Sequence, residues 1–171
     1  MADAWILPEL TRLGEAWASG RLSIAGEHFA SSALMRSIAA VFEAARGDGH
    51  GAAVLVGLPA GEHHELGLLT FATCLRRRGV NVVYLGGDVP AREWERAAAR
   101  RRARAAVIGV SSPQAAAEAE AVTGLLKAVT PPLSVWVGGS LRHEVPGAHH
   151  LPDAVAEAAA TLQLSLESGR T

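Results

Sequence analysis

Ala53-Val54-Leu55-Val56-Gly57-Leu58, followed past Pro59-Ala60-Gly61 by Glu62-His63-His64-Glu65-Leu66-Gly67, decides how this chain folds. The first run is short, continuous and apolar, which fits a buried strand. A helical pattern begins within the second run. A histidine and a carboxylate therefore sit at the carboxyl end of a buried strand. Open α/β sheets place their ligands there.

Working outward, strand and helix patterns alternate. A helix is expected over residues 66–78, stopped by Gly79, then a strand over 80–85. A helix over 91–104, with Pro90 at its start, leads to a strand over 106–110. A helix over 114–129, closed by Pro131-Pro132, leads to a strand over 133–137. A shorter element near Val145 and a helix over 153–167 complete this part. Nearly continuous apolar strands separated by helices predict a parallel sheet covered on both faces. Before the first strand lie two helical patterns. Residues 7–18 carry Leu10, Leu13, Gly14 and Trp17 at helical spacing. Ser23 is a fitting N-cap for a second helix to about Ala45, with Leu34, Ile38, Val41 and Phe42 on one face. Gly47-Asp48-Gly49-His50-Gly51 reads as a linker.

Composition bounds the function classes. Hydrophobic residues make up 49% and charged residues 19%, which is ordinary for a globular protein and argues against disorder. The net charge of −1 gives no support for nucleic-acid binding. Arg100-Arg101-Arg102 and Arg104 fall at an expected helix end, where basic residues suit the dipole and the carbonyls. The single Cys74 excludes an internal disulfide framework and a multi-thiolate zinc site. No apolar segment approaches the ~20 residues needed to span a bilayer, and no signal-peptide pattern opens the chain. A soluble cytoplasmic protein without a membrane partner is expected.

Three further loops lie where the same end of the sheet is expected. Ser111 and Ser112, after the third strand, can bond a ligand or cap the next helix. Gly138-Gly139-Ser140, after the fourth, can let a planar group pack on the backbone or simply form a tight turn. Asp88, in Leu85-Gly86-Gly87-Asp88-Val89-Pro90, is either a rim residue or a turn residue.

The pattern Glu62-x-His64-x-x-Gly67 resembles the Asp-x-His-x-x-Gly signature of cobalamin-binding domains, with glutamate in the first place. In that family the histidine is the lower axial ligand of cobalt. The resemblance selects His64 over the neighbouring His63, because only His64 has a carboxylate two before it and a glycine three after it. The family's Ser-x-Leu and Gly-Gly motifs, which line the slot for the nucleotide tail, correspond to Ser111 and to Gly138-Gly139. Pro113 stands where the leucine is expected, which puts the fit beside the third strand in question. Trp17-x9-Glu27-His28 resembles the cap motif of the CarH/LitR light-sensing cobalamin-binding family. There a helical bundle covers the upper corrin face, and the tryptophan and the Glu-His pair surround an adenosyl group.

The resemblance implies a partial helical-bundle cap over 1–46, a linker over 47–51 and a Rossmann-like, flavodoxin-like doubly wound domain over 52–171. It implies adenosylcobalamin bound base-off, with His64 on the metal. Trp17, Glu27, His28, Glu62, His63, Gly67, Asp88, Ser111, Ser112, Gly138, Gly139 and Ser140 are then expected around the cofactor. A light sensor rather than an enzyme follows, acting through a change in self-association as a dimer or tetramer, or through another protein. The family's photosensors carry a MerR-type helix-turn-helix. This chain begins inside the cap, so a stand-alone form without direct DNA binding is expected. Ala18 stands where the prototype has a histidine that captures cobalt after illumination. Some free-standing relatives also use a bilin such as biliverdin. Arg142-His143 and His149-His150 could offer donors to its propionates, or be exposed loop residues only. The alternative reading is a corrinoid carrier, or a subunit of a cobalamin-dependent methyltransferase or mutase.

Overall fold

The computed structural model describes residues 23–45 and 51–168. The expected helix over 7–18, with Trp17 and Ala18, lies outside the described residues, as do positions 47–50 of the linker.

Helix α1 spans Ile24–Ala44, and Ser23 caps it by accepting from the Gly26 N–H at 3.1 Å. Ile38 and Phe42 bury against the rest of the protein, with Leu34, Met35 and Ala39 packed beside them. Val41, expected on that face, is exposed instead. The contact stripe runs through the i, i+4 positions 34, 38 and 42, and the next residue on the rim turns outward.

β1 (Val54–Pro59) is buried throughout. α2 (Glu65–Arg77) leads through Gly79, at φ +81°, to β2 (Val82–Val89). β2 is longer than its apolar run suggests. It continues through Gly86, Gly87 and Asp88 in an irregular register against β1, with Gly86 and Asp88 at positive φ. α3 (Ala91–Arg101) stops short of Arg104, because Arg102 turns left-handed at φ +50°. β3 (Ala105–Gly109), α4 (Pro113–Ala128) and β4 (Ser134–Gly138) follow. The short element near Val145 is a 3-10 turn (Arg142–Glu144) and an edge strand β5 of two residues (His149–His150). α5 (Val155–Ser168) ends the described chain.

The sheet order is β2-β1-β3-β4-β5, all parallel. This is the doubly wound, flavodoxin-like order, and the chain reverses its direction of winding between β1 and β3. Alternation along the strands feeds two cores. Val54, Val56, Leu58, Val107 and Trp136 face α2, α5 and α1. Leu55, Ile108, Val135 and Val137 face α3 and α4. Ala115, Ala116 and Ala119 give α4 a low-relief surface that settles close on the sheet. Trp94 of α3 is fully buried, and its Nε1–H donates to the Val89 carbonyl at 3.2 Å. Its ring covers Gly57, where a β-carbon would lie 3.0 Å from Cζ2. Among the described residues no helix is long and apolar enough to cross a membrane.

Trp94→Ala should empty this second core and cost about 3–5 kcal/mol. Urea denaturation monitored by circular dichroism measures that loss, and a change below about 1 kcal/mol would contradict the packing described.

Candidate functional site

β1 ends at Pro59, and the chain turns through Gly61 at φ +78° before α2 begins. This loop is tied to the end of β2. The Asp88 N–H donates to the Glu62 carbonyl at 2.9 Å, and the Gly61 N–H donates to Asp88 Oδ1 at 2.8 Å. Asp88 adopts φ +53° to make both bonds. It lies on the rim, as expected, and the structure shows it clasping the loop.

Glu62 points inward and is only 2% exposed. Its Oε1 accepts from the backbone N–H groups of His63 (3.0 Å) and His64 (3.1 Å) and meets His64 Nδ1 at 2.5 Å. Its Oε2 accepts from the Ser111 hydroxyl at 2.5 Å and, more weakly, from Ser112 at 3.4 Å. Burial raises the pKa of this carboxyl. The bonds from Ser111 and His64 outweigh it and bring the value down to about 2. An ionised carboxylate against Nδ1 selects the tautomer with the proton on Nδ1. Nε2 then carries the lone pair, on the far side of the ring. The His64 side chain is 86% exposed, so that lone pair is presented outward from a ring fixed at its base. A ligand histidine held through its other nitrogen by a carboxylate is the usual arrangement at metal sites.

Ser112 also accepts from the Ala115 N–H at 3.2 Å, so it caps α4, while Ser111 serves the carboxylate. Pro113 takes the first position of α4, where its missing N–H leaves nothing unpaired.

Beside His64 opens a cleft of about 280 Å³, lined among others by Gly67, Leu68, Ser111, Gly138, Gly139 and Leu151. Gly139 sits at φ +105°, and a β-carbon there would lie 2.1 Å from the Val110 carbonyl oxygen. Only glycine fits. At Gly67 a β-carbon would meet nothing within 4 Å. Packing within the chain does not demand glycine at this point; its small size keeps the cleft wall open. Ser140 and His63 are exposed beside the cleft, and neither side chain forms its wall. His28 is exposed in the first turns of α1. Trp17 and the Glu27 side chain lie outside the described residues.

Two supports were not anticipated. Tyr84 donates its hydroxyl to Glu65 Oε2 at 3.0 Å, and burial together with the Glu65 charge raises the phenol pKa. The Tyr84 ring packs on Phe42 of α1 with centroids 5.8 Å apart. Arg142 donates to the Gly139 carbonyl at 3.0 Å and to Asp153 at 2.5 Å, bracing the glycine turn. Nothing in the sequence pairs Tyr84 with Glu65 or Arg142 with Gly139 and Asp153. Of the four residues named for a bilin, Arg142 is placed as above, His143 Nδ1 lies 3.2 Å from His150 Nδ1, and His149 packs on the Trp136 ring with centroids 4.7 Å apart.

Among the described residues no group of three or more histidine, cysteine or carboxylate side chains could hold a metal ion. One outward imidazole suits instead a metal whose other ligands arrive with it. The apolar cleft with its glycine wall suits an extended organic group reaching in beside that metal. Residues 52–162 match the family described as the B12 binding domain.

This chain belongs to the B12-binding domain family.

The cofactor of the domain is a cobalamin, and the residues at the carboxyl ends of β1 and β3 fit it. The chain is 36% identical over 139 residues to the HTH-type transcriptional repressor CarH of Myxococcus xanthus. The match covers 81% of this chain and 46% of that protein, so the B12-binding chain spans about half of its relative. The monomethylamine corrinoid protein of Methanosarcina barkeri superposes with a TM-score of 0.67 at 18% identity, over 91% of this chain and 76% of that one. A cobalamin-binding protein of Desulfitobacterium hafniense DCB-2 gives 0.62 at 21% identity, over 90% and 76%. These two structural likenesses establish the Rossmann-like fold.

Glu62 makes the stability of the cofactor-free domain pH-dependent with a definite sign. Its folded pKa of about 2 lies below its ordinary 4.5, so its contribution is complete above pH 4.5 and is lost as pH falls toward 2. The loss amounts to roughly 3 kcal/mol. Urea titrations from neutral pH downward should show this slope in the wild type and a shallower one in Glu62→Gln; parallel curves would refute it.

Proposed function

We propose that this B12-binding domain is the cofactor module of a light-responsive signalling protein that takes adenosylcobalamin, with His64 Nε2 as the lower cobalt ligand. The observation that carries the ligand assignment is the Glu62–His64 contact at 2.5 Å with Ser111 behind it. Light sensing is supported by the 36% identity to CarH and by the Trp17…Glu27-His28 spacing, which resembles the cap of CarH/LitR photosensors. When bound, adenosylcobalamin supplies a corrin that absorbs visible light and a weak cobalt–carbon bond that such light breaks.

The rest falls to the chain. Glu62 keeps the proton of His64 on Nδ1, so that Nε2 remains available as a donor. Ser111 holds the Glu62 carboxylate in place. Gly67, Gly138 and Gly139 leave room for the nucleotide tail along the cleft. Trp17, Glu27 and His28 cover the upper side in this reading. Helix α1 is joined to the ligand loop by a short path. Phe42 lies under the Arg76 guanidinium at 4.1 Å and against Tyr84, and Tyr84 bonds Glu65, the residue after His64. A change in what the cap covers therefore biases how α1 sits on α2, a shift between two packed arrangements. Output passes through altered association with a second copy or another protein.

The experiment adds adenosylcobalamin in darkness, records the absorption spectrum and hydrodynamic size, then illuminates and repeats both. A light-dependent change in size supports the sensor. An unchanged size, with methyl transfer or mutase turnover when a partner enzyme is supplied, would replace it by the corrinoid-carrier reading. Glu62→Gln should weaken cobalamin binding roughly 10–100-fold, and His64→Ala at least as much with a changed spectrum. Wild-type affinity and spectrum in His64→Ala would contradict the axial role. Tyr84→Phe should leave cobalamin affinity close to wild type while reducing the light-dependent size change.

A further inference from the structure

The turn after β4 and the edge strand β5 bring two histidines together at the outer edge of the sheet. His143 lies in the 3-10 turn Arg142–Glu144, and His150 ends β5. Both residues are exposed, yet both backbones are held. His150 pairs with Val137 in the parallel ladder, and the Leu151 N–H donates to the Val137 carbonyl at 2.9 Å. The turn is closed by the Glu144 N–H on the Leu141 carbonyl at 3.0 Å and is anchored by the fully buried Val145. The two Nδ1 atoms stand 3.2 Å apart, and the rings are nearly perpendicular at 88°.

The tautomers follow from the partners. His150 Nε2 lies 3.4 Å from the Val145 carbonyl, which can only accept, so Nε2 carries the proton. The lone pair of His150 Nδ1 then faces His143. Two facing lone pairs at 3.2 Å would repel, so in the neutral pair His143 keeps its proton on Nδ1 and donates it to His150. A ligand histidine whose other nitrogen donates to a backbone carbonyl is the usual arrangement at metal sites, and His150 is held in that way. His143 reaches the matching state when its proton moves through solvent to Nε2 and the rings tilt, so that both Nδ1 lone pairs converge. Nitrogens 3.2 Å apart, each about 2.0–2.1 Å from a zinc ion, subtend roughly 100–106° at the metal, close to the tetrahedral angle.

We propose that His143 and His150 form a two-histidine site for a divalent transition-metal ion of the zinc class. Imidazole donors take zinc, copper or nickel, whereas magnesium and calcium prefer oxygen. The adjacent His149 is not a third ligand. Side chains alternate along a strand, and His149 turns to the other face, where it packs on the Trp136 ring. Asp153, the carboxylate just beyond β5, is paired with Arg142. Among the described residues no third histidine, cysteine or carboxylate joins the pair. Water fills the remaining positions, which makes this an exchangeable site and not a structural one. The metal ties the turn after β4 to β5. The site is independent of the cofactor reading, because neither histidine lines the cobalamin cleft.

Long-range proton–nitrogen correlation spectra of the histidine rings test this in the full chain without an affinity tag. They are recorded at about pH 8, where an ordinary histidine is neutral, during titration with zinc chloride. Before zinc is added, His150 should show the Nε2–H form and His143 the Nδ1–H form. One equivalent of zinc should shift both Nδ1 resonances and convert His143 to the Nε2–H form, and magnesium chloride should change neither. In His143→Gln the His150 ring, and in His150→Gln the His143 ring, should need about tenfold more zinc or more to respond. Ring nitrogens unmoved by excess zinc, or a His150 response unchanged in His143→Gln, would overturn the proposal and leave the contact a hydrogen bond only.

Discussion

A buried carboxylate bonded to an exposed imidazole organises this molecule. Burying Glu62 would be costly unless its oxygens were fully satisfied. Two backbone N–H groups, two serine hydroxyls and His64 Nδ1 satisfy them. The partners come from neighbouring strands. Glu62 follows β1, Ser111 follows β3, and Asp88 at the end of β2 clasps the loop between β1 and α2. The order β2-β1-β3 is what brings these groups together, so the site follows from the doubly wound topology. Glycine is required at Gly139, where backbone meets backbone, while at Gly67 its small size keeps the cleft wall open.

The two ends of the sheet differ in chemistry. The carboxyl end carries a hydrogen-bonded histidine and a largely apolar cleft, suited to a large cofactor. The opposite end carries exposed arginines around a small polar cleft. Between them the cores on either face of the sheet are continuous and alanine-lined on the α4 side, which gives a stiff body. Helix α1 lies on that body through one seam, formed by Leu34, Met35, Ile38, Ala39 and Phe42 with Arg76 set against Phe42. That makes it a fitting part to respond when the cofactor changes.

Much of this was legible in the sequence. Buried parallel strands are apolar throughout, so β1, β3 and β4 stand out from the helices between them. Glu62, His64 and Ser111, singled out by their places at strand ends and by the resemblance of their motifs, are brought into contact by the fold. What escaped is set by tertiary structure. β2 ran on through Gly86, Gly87 and Asp88 because pairing with β1 holds glycines that look like a turn. α3 ended early because Arg102 turns left-handed, a conformation that arginine does not advertise. Val41 fell on the wrong side of α1 because the contact stripe is narrower than the apolar one. The Tyr84–Glu65 bond and the Arg142 brace join residues 19 and 11 apart, or lie across a turn, and no local pattern announces them.

The coordination of the metal by His64 is the claim on which the functional account stands. Electron paramagnetic resonance of the cobalamin-loaded protein, reduced to the cobalt(II) form, reads the lower ligand directly through its nitrogen splitting. With histidine labelled by nitrogen-15, the splitting should change from three lines to two, because the coordinating nitrogen belongs to the protein. Three lines that persist after labelling would mean that the cofactor keeps its own base on cobalt and that His64 does not bind it.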